Sequence, residues 1–499
     1  MEKRVTHLIN GQIADGTDDR FQDVFNPATG EVTKQVALAS KSTVEEAIAA
    51  AQKAFPAWRN TSPAKRAQVM YKLKYLMEEN ADKICRMITD EHGKVFNDAM
   101  GELLRAVENV EFACGVPELL KGEHSKNVGP AIDSWSEHQA LGVVAGITPF
   151  NFPAMVPFWM WPLAVVAGNT FILKPSERTP TASMYLTQLA QEAGLPPGVL
   201  NLVNGDKEAV DTLLTDPRVE AVSFVGSTPV AEYIYTRGTA HGKRVQALGG
   251  AKNHAIVMPD ADLDNAVNAL MGAAYGSCGE RCMAIPVVVT VGDTTGDAVV
   301  VKLKERLAEM KIGPGSDNTN DMGPLVTKPH FEKVKGYVDL GIEEGAELVV
   351  DGRNIVVDGY ENGFFLGGCL FDRVTPDMKI YRDEIFGPVL GVVRAETQQE
   401  AMDLIDAHEY GNGTCIFTRD GESARYFTDN IRVGMVGVNV PLPVPVAYHS
   451  FGGWKRSLFG DLSIYGSDGV RFYTRRKTIT QRWPSASLRE GAVFSFPSN

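Results

Sequence analysis

Between residues 141 and 236 the chain repeats one pattern, in which a short apolar run is followed by a segment of helical periodicity. Short apolar runs between turn residues are typical of buried strands. The predicted strands are 141–147, 170–173, 199–203 and 219–225, and the predicted helices are 153–167, 180–193, 206–214 and 229–236. Alternation at this spacing predicts an α/β fold with a doubly wound, parallel sheet. In such sheets, ligands bind at the carboxyl ends of the strands.

The first part of the chain has three weaker patterns. Residues 7–40 alternate apolar and polar positions between turns, which predicts short strands. Ser42 and Glu45 fit a capping box at the start of a helix. Ser62 followed by Pro63 predicts the start of a second helix, since proline is favoured at the first helical position.

The last part of the chain predicts a second α/β unit, from residue 250 to about residue 449. Its predicted strands are 287–291 and 348–350, and its predicted helices are 298–310, 329–344 and 398–407. Residues 119–140 lack helical periodicity and form an excursion from the regular pattern. Residues 466–482 are predicted as strand, and we expect the polar tail from Pro484 to be loosely held.

Composition limits the classes of function. The chain has 499 residues and a net charge of -13, which indicates several domains and argues against a nucleic-acid surface. Its six cysteines are spread thinly, as is usual in a reducing compartment. The N-terminus has no apolar signal core, and the apolar run 154–167 is too short and too rich in proline to cross a membrane. We therefore expect a cytoplasmic protein without nucleic-acid or membrane partners.

Two thiols, Cys278 and Cys282, lie in a run of small residues between a predicted helix and a predicted strand. A junction of this kind can expose a side chain, and the cation of Arg281 would lower the pKa of Cys282 towards the reactive thiolate. Both cysteines could equally be buried apolar residues, which is the more common case. A metal or redox pair is disfavoured by the spacing and by the lack of a second ligand pair nearby, so we expect no metal.

Polar residues follow the predicted strands of the first unit. Lys174 is either a surface lysine or a ligand of ribose or phosphate, and Glu177 suits a ribose diol. Glu177 would repel a 2′-phosphate, which favours NAD over NADP, although Arg178 weakens this preference. Ser227 either caps the next helix or belongs to a phosphate site at the N-terminus of that helix. The chain lacks the G-x-G-x-x-G fingerprint, so a dinucleotide would have to bind in another way.

Six motifs occur together along almost the whole chain. They are Thr-Pro-Phe-Asn-Phe-Pro at 148–153, Lys-Pro-Ser-Glu at 174–177, Phe-Val-Gly-Ser-Thr at 224–228, Leu-Gly-Gly at 248–250, Gly-Glu-Arg-Cys at 279–282 and Glu-Ile-Phe-Gly-Pro at 384–388. Their order and spacing resemble the aldehyde dehydrogenase superfamily. The first and fifth motifs are most similar to its CoA-acylating branch, which acts on malonate and methylmalonate semialdehydes.

The resemblance implies the aldehyde dehydrogenase fold, with a Rossmann-like NAD-binding domain, an α/β catalytic domain and a β oligomerisation arm. The expected boundaries are 1–118 with 141–249 for the NAD-binding domain, 250–449 for the catalytic domain, 119–140 with 466–482 for the arm and 483–499 for a C-terminal tail. Members of the superfamily usually assemble through the arm, so we expect a homotetramer or a homodimer.

The resemblance also implies roles for individual residues. Cys282, and not Cys278, matches the nucleophile, and Asn151 matches the side-chain donor of the oxyanion hole. Arg105 and Arg281 match two arginines that bind the substrate carboxylate, for which a guanidinium group is well suited. The residues that the resemblance assigns to the NAD cleft are Thr148, Phe150, Lys174, Glu177, Arg178, Ser227, Gly249, Glu384 and Phe386.

One departure from the wider superfamily concerns the acyl acceptor. Ala247 stands where hydrolytic members carry a glutamate as general base for water. Without that base a thioester is a poor target for water, whereas the thiol of coenzyme A needs less help. We therefore expect oxidation of a small semialdehyde with NAD and CoA, giving acetyl-CoA or propionyl-CoA and CO2. The alternatives are a hydrolytic, NAD-dependent aldehyde dehydrogenase and a thiol hydrolase that pairs Cys282 with a histidine.

Overall fold

The computed structural model describes residues 4–16 and 19–483. Its strands are β1 (Arg4–Val5), β2 (His7–Ile9), β3 (Gln12–Ala14), β4 (Phe21–Asn26), β5 (Glu31–Ala37), β6 (His124–Gly129), β7 (Ile132–Ala140), β8 (Val143–Ile147), β9 (Thr170–Lys174), β10 (Leu200–Leu202), β11 (Val219–Val225), β12 (Arg244–Leu248), β13 (His254–Val257), β14 (Val287–Val291), β15 (Glu347–Val350), β16 (Cys369–Asp372), β17 (Val389–Ala395), β18 (Tyr410–Gly411), β19 (Gly413–Phe417), β20 (Met435–Val438), β21 (Trp454–Lys455), β22 (Leu458–Phe459) and β23 (Thr474–Arg482). Its α-helices are α1 (Lys41–Asn60), α2 (Pro63–Glu79), α3 (Ala81–His92), α4 (Phe96–Cys114), α5 (Val116–Leu119), α6 (Met155–Val166), α7 (Pro180–Glu192), α8 (Lys207–Thr215), α9 (Thr228–Ala240), α10 (Leu263–Tyr275), α11 (Asp293–Glu309), α12 (Lys328–Glu343), α13 (Lys379–Arg382), α14 (Gln398–Ala407), α15 (Gly421–Asn430) and α16 (Gly466–Phe472).

The first α/β unit is built on an eight-stranded sheet with the order β22-β12-β11-β8-β9-β10-β2-β3. The strands from β12 to β10 are parallel, and β22 and β2 join them antiparallel. Helices α2, α3, α4, α6 and α7 pack in one large apolar cluster, and α1, α8 and α9 pack in another. The doubly wound sheet predicted from the alternating pattern is therefore confirmed.

Helix α6 corresponds to the long apolar run of the sequence. All of its residues are buried, because it lies between the sheet and helices α2 and α4. Within residues 4–16 and 19–483, none of the helices combines the length and the apolar character needed to span a membrane. The prediction of a buried helix is confirmed.

The second α/β unit is a seven-stranded sheet with the order β15-β16-β17-β14-β13-β19-β20. All neighbouring pairs are parallel except β15 with β16. Its core is an apolar cluster distinct from those of the first unit. Strands β14, β13 and β19 lie side by side, so the segments that lead into their amino ends meet at one edge of the sheet.

A three-stranded antiparallel sheet, β23-β7-β6, stands apart from the two large sheets. Strand β23 pairs with β7 from Thr474 opposite Ala140 to Arg482 opposite Ile132, and every residue of β7 is half-buried. The role of this sheet as an oligomerisation arm and the domain boundaries stay predictions. The predicted C-terminal tail lies outside the described residues from residue 484 onwards.

The prediction of strand for residues 466–482 is wrong in its first part. Residues Gly466–Phe472 form helix α16, and only Thr474–Arg482 is a strand. Gly466, Gly469 and Val470 are buried, a spacing that places them on one face of a helix. Packing against α6 therefore decided the structure of a segment whose own periodicity was ambiguous.

The capping box predicted at Ser42 is also wrong. The N-cap of α1 is Ser40, whose hydroxyl accepts a hydrogen bond from the Thr43 N–H at 3.4 Å. Ser40 has the extended backbone that an N-cap needs, whereas Ser42 already lies inside the helix. The helix consequently begins earlier than the sequence signal indicated.

Candidate active site

The loop that carries the two thiols is shaped by left-handed residues. It leaves α10 as a 3-10 turn, Gly276–Gly279, in which Ser277 and Cys278 have φ angles of 54° and 53°. A Cβ atom on Gly279 would lie 2.2 Å from the carbonyl oxygen of Gly387. Only glycine therefore allows this loop to pack directly against the segment that follows Phe386.

The loop separates the two thiols. Cys278 is 1% exposed and packs in the core of the second unit, where burial raises the pKa of its thiol. Cys282 is half-buried and faces open space. The expectation that the junction exposes a thiol is therefore confirmed for Cys282 and wrong for Cys278.

Two asparagines anchor the backbone at Cys282. The carbonyl oxygen of Cys282 accepts hydrogen bonds from Asn253 Nδ2 at 3.0 Å and from Asn412 Nδ2 at 3.1 Å. Asn253 directly precedes β13, and Asn412 directly precedes β19. Neither residue was predicted from the sequence, in which the one available signal was a polar side chain immediately before a buried strand.

Cys282 lies between two cavities. One has a volume of about 250 Å³ and the other of about 20 Å³, and Cys282 borders both. The larger cavity is lined by Asp98, Gly101, Glu102, Arg105, Phe152, Met155, Trp159, Val225, Leu248, Gly249, Arg281, Cys282, Met283, Asn412, Leu442, Val444 and Phe451. The smaller cavity is bordered by Glu384 and Phe386. Cys282 therefore has open space on two sides.

Gly249 was predicted to contact NAD, but it lies on the wall of the larger cavity. Its N–H donates to the carbonyl oxygen of Ser457 at 2.9 Å, and a Cβ atom would lie 2.7 Å from the Arg456 carbonyl oxygen. Glycine is needed here because the backbone passes close to a neighbouring segment. The assignment of Gly249 to the NAD cleft stays a prediction.

Asn151 connects the two sheets. It follows β8, it is 3% exposed, and its Nδ2 donates to the carbonyl oxygen of Glu280 at 2.9 Å. Glu280 precedes Cys282 by two residues, so this bond joins the end of a strand in one sheet to the thiol loop of the other. An amide nitrogen carries two hydrogens, so Asn151 can also donate to a ligand oxygen.

The ends of β8 and β9 are tied together. The Thr148 N–H donates to the Lys174 carbonyl oxygen at 3.1 Å, and Lys174 Nζ donates to Glu177 Oε2 at 3.1 Å. Burial alone would raise the pKa of Glu177, but the charge of Lys174 and its hydrogen bond hold that pKa below its usual range. Ser227 is exposed at the N-cap of α9, on the same edge of the sheet.

Three predicted cleft residues contact one another. The Arg178 guanidinium lies 5.2 Å from the ring centre of Phe150, and the rings of Phe150 and Phe386 meet edge to face at 6.0 Å. Phe386 has a φ angle of 59°, and its carbonyl oxygen contacts His330 Nε2 at 2.7 Å. His330, which the sequence analysis missed, therefore helps to hold the backbone of Phe386 in a conformation that is rare for a bulky residue.

Glu384 has one oxygen engaged within the protein. Its Oε1 accepts from the Ala251 N–H at 3.0 Å, and burial raises the pKa of the carboxyl to about 7. A Cβ atom on Gly250 would lie 2.5 Å from Oε2, so glycine keeps that oxygen accessible. Nearby Lys252 donates to two backbone carbonyls, and burial lowers its pKa to about 7.

Both predicted carboxylate-binding arginines line the larger cavity. Arg281 Nη2 donates to Asp98 Oδ1 at 2.6 Å, and Arg105 Nη1 donates to Glu108 Oε2 at 2.9 Å. Each guanidinium carries five N–H donors, so these ion pairs leave donors for a ligand. The structure therefore brings the two arginines together on the cavity side of Cys282.

The predicted lowering of the Cys282 pKa is wrong. Burial, followed by the charge of Glu384, raises the pKa of this thiol to about 11. Arg281 lowers the pKa, but its effect is smaller than that of burial. The position of Arg281 next to Cys282 in the sequence therefore did not predict the direction in which the pKa of the thiol is shifted.

Ala247 is fully buried near the end of β12 and packs in the apolar cluster that also contains Phe224 and Phe459. The next residue, Leu248, lines the larger cavity. The position of the missing general base is thus filled by a small apolar side chain.

Comparison with known proteins agrees with this arrangement. Residues 13–479 match the model of the aldehyde dehydrogenase family. The chain is 67% identical over 492 residues to a malonate-semialdehyde dehydrogenase of Pseudomonas aeruginosa, with 99% of each chain covered. It is similar to the crystal structure of a methylmalonate-semialdehyde dehydrogenase from Oceanimonas doudoroffii, with a TM-score of 0.96 and 68% identity over 98% of this chain and 100% of the other.

A second similar structure contains a nucleotide. It is a protein of Sinorhizobium meliloti, provisionally named for the same activity and complexed with NAD, with a TM-score of 0.96 and 55% identity over 97% of this chain and 99% of the other. The fold and the thiol site are those of an oxidoreductase that acts on aldehydes. The chain belongs to the aldehyde dehydrogenase family.

Replacement of the two thiols should separate their functions. We expect Cys282→Ala to abolish aldehyde-dependent NADH formation, because the sulfur between the two cavities is lost. Cys278→Ala is the matched control, and it should keep the activity while lowering the thermal midpoint, because a buried side chain becomes smaller. NADH absorbance and thermal unfolding measure the two effects, and retained activity in Cys282→Ala would contradict the assignment.

Proposed function

We propose that the protein oxidises malonate semialdehyde or methylmalonate semialdehyde with NAD and CoA, giving acetyl-CoA or propionyl-CoA and CO2. The names of the similar proteins support the substrate class, and the NAD complex of the Sinorhizobium meliloti protein supports the cofactor. The observation that carries the choice of CoA over water is Ala247, a buried apolar residue where hydrolytic members have a glutamate. The hydrolytic alternative is therefore not favoured.

The residues at the sheet edge suit NAD. Lys174 and Glu177 would contact the adenosine ribose, and Ser227 lies at a helix N-terminus that favours phosphate. Glu384 keeps Oε2 accessible beside Gly250, as a nicotinamide ribose requires. Phe386 borders the smaller cavity, which Cys282 also borders. NAD would supply the hydride acceptor on that side of Cys282.

Thioester formation would use groups on both sheets. The Cys282 sulfur attacks the aldehyde carbon, and Asn151 Nδ2 with the Cys282 N–H stabilises the negative oxygen that forms. Each such donor contributes about 3 kcal/mol to transition-state stabilisation in measured cases. Because burial raises the pKa of Cys282 to about 11, the thiol is protonated in the resting site, and its proton would pass to water in the larger cavity before attack.

The arginines and the oxyanion hole would then act together in decarboxylation. Arg105 and Arg281 hold the substrate carboxylate in the larger cavity, on a carbon next to the thioester carbonyl. The bond between this carbon and the carboxylate then breaks, and CO2 leaves. The electron pair of the broken bond moves onto the thioester oxygen, giving an enolate. The same two donors that held the first oxyanion stabilise this enolate, and protonation of its carbon completes the acyl group.

Transfer to CoA follows from the surroundings of the thioester. The carboxylates on the larger cavity are already engaged, since Asp98 is paired with Arg281 and Glu102 with Lys94. Uptake of a proton would weaken the ion pair that each carboxylate makes. A thiolate needs no such base, so CoA can displace Cys282 directly.

The assembly and compartment of the protein are part of the same proposal. Strand β7 is half-buried and pairs with β23 in a sheet of the kind that joins subunits. This sheet supports the expected homodimer or homotetramer. We also propose that the protein acts in the cytoplasm, as its composition indicates.

Binding of NAD should depend on pH through Glu384. Its pKa is raised to about 7, and the ionised form accepts ribose hydroxyls better, so the Kd for NAD should fall by up to about tenfold from about pH 6 to about pH 8. Fluorescence titration at several pH values measures this. Lys252 titrates in the same range, so Glu384→Gln is the control, and its profile should be flatter. A pH-independent Kd in the unmodified protein would contradict the role of Glu384.

Loss of Arg105 should affect only substrates with a carboxylate. We expect Arg105→Gln to raise the KM for malonate semialdehyde by about tenfold or more, because a charge-assisted hydrogen bond is lost. Propanal, which has the same chain length and no carboxylate, serves as the control and should show an unchanged KM. Equal effects on both aldehydes would show that Arg105 only shapes the cavity.

Turnover should require CoA. Without CoA, rapid mixing with malonate semialdehyde should give about one NADH per active site and then stop, because water does not release the acyl group. With CoA, NADH formation should continue. Desulfo-CoA, which lacks the thiol, is the control and should not sustain turnover. Steady oxidation at full rate without CoA would establish the hydrolytic alternative instead.

A further inference from the structure

A fully buried ion pair lies beside the proposed oxyanion hole. Lys94 Nζ and Glu102 Oε2 are 2.8 Å apart, and both side chains are 0% exposed. Removing two charges from water is costly, and it is tolerated when the remaining donors and acceptors of the pair are also satisfied. The partners that satisfy them indicate what the pair does.

Those partners all belong to the segment that carries Asn151. Lys94 Nζ donates to the Asn151 carbonyl oxygen at 2.6 Å. Glu102 Oε1 accepts from the N–H groups of Ala154 at 2.7 Å and Met155 at 3.1 Å, which are free N–H groups at the start of α6. The ion pair therefore holds this segment at both ends.

The connection continues from Asn151 to the nucleophile. The Asn151 side chain donates to the Glu280 carbonyl oxygen at 2.9 Å, and Glu280 lies two residues before Cys282. The backbone of Asn151 is held from one side by Lys94, and its side chain is held from the other side by the thiol loop. Buried hydrogen bonds thus connect Lys94 to Asn151, and Asn151 to the loop that carries Cys282.

We propose that Lys94 and Glu102 are positioning residues, which fix Asn151 so that its amide and the Cys282 N–H converge on the same oxygen. This inference rests on the proposed role of Asn151 in the oxyanion hole. Neither residue touches the reacting atoms in this role. Their effect is to hold a donor that must lie within a few tenths of an ångström of the developing charge.

The competing explanation is that the pair only stabilises the fold. Lys94→Met alone cannot separate the two, because it leaves the charge of Glu102 buried without a partner. The double variant Lys94→Met/Glu102→Gln removes both charges, and glutamine keeps an oxygen that can accept from Ala154 and Met155. It lacks the hydrogen bond from Lys94 to the Asn151 carbonyl and the contact of Lys94 with the ring of Phe152.

We expect Lys94→Met to lower kcat for NADH formation by about 10- to 100-fold, with the KM for the semialdehyde within about twofold of the unmodified value. The double variant should regain the thermal midpoint of the unmodified protein, but its kcat should stay low. Alkylation of Cys282 by iodoacetamide forms no oxyanion, so its rate should change little in either variant. A double variant that regained kcat together with the midpoint would overturn the inference.

Lys243 offers a matched control for the loss of a buried lysine. It is 5% exposed, and its Nζ donates to the backbone carbonyls of Asp216 at 2.5 Å and Val219 at 2.7 Å, at the start of β11 rather than at the thiol. Lys243→Met should lower the thermal midpoint and leave kcat unchanged. A loss of kcat equal to that of Lys94→Met would mean that any destabilised variant loses activity, and the inference would fail.

A second measurement tests whether Lys94 acts through Asn151. Asn151→Ala should lower kcat by about 100-fold or more. In that background Lys94→Met should cost less than about a further twofold, because the group that it positions is already gone. If the two substitutions instead lowered kcat by independent factors that multiply, the inference would be overturned and the proposed role of Asn151 would remain intact. Full activity in Asn151→Ala would instead disprove the role of Asn151, and the inference with it.

Discussion

The hydrogen bond from Asn151 to the Glu280 carbonyl oxygen joins two halves of the molecule that are built separately. Asn151 follows a strand of the eight-stranded sheet, whereas the Cys282 loop is tied by Asn253 and Asn412 to the amino ends of strands in the seven-stranded sheet. Asn151 and Cys282 are thus brought together by residues of both sheets. The chemistry therefore depends on how accurately the two cores hold their edges together, since small displacements of reacting groups cost large factors in rate.

Burial of this junction acts on the chemistry in two directions. Desolvation raises the pKa of Cys282 to about 11 and that of Glu384 to about 7, so the resting site disfavours both charged forms. The same low dielectric strengthens the interaction of fixed donors with an oxyanion, because fewer water dipoles compete with them. A site of this kind disfavours the thiolate at rest and favours negative charge next to its fixed donors.

Helices and strands with a clear periodicity of apolar residues were predictable from the sequence. The bounds of Val219–Val225 and Gln398–Ala407 agree with the predicted ones, because several buried side chains repeat the same spacing. The segment Gly466–Phe472 was predicted wrongly, since its short pattern fits a helix or a strand until packing against α6 selects one. Among the site residues, Asn412 and Lys94 were missed because a single polar residue carries no period. Their importance comes from partners that are distant in the sequence.

The sequence by itself determined the order and type of most elements, the polar residues at the strand ends, and the lack of a carboxylate at Ala247. These properties follow from residue type and local spacing alone. Only the tertiary structure decided which thiol is exposed and in which direction the pKa of Cys282 is shifted. It also decided that Arg281 forms an ion pair with Asp98. The reason is that desolvation and Coulomb interactions depend on distances through space, and residues far apart along the chain set those distances.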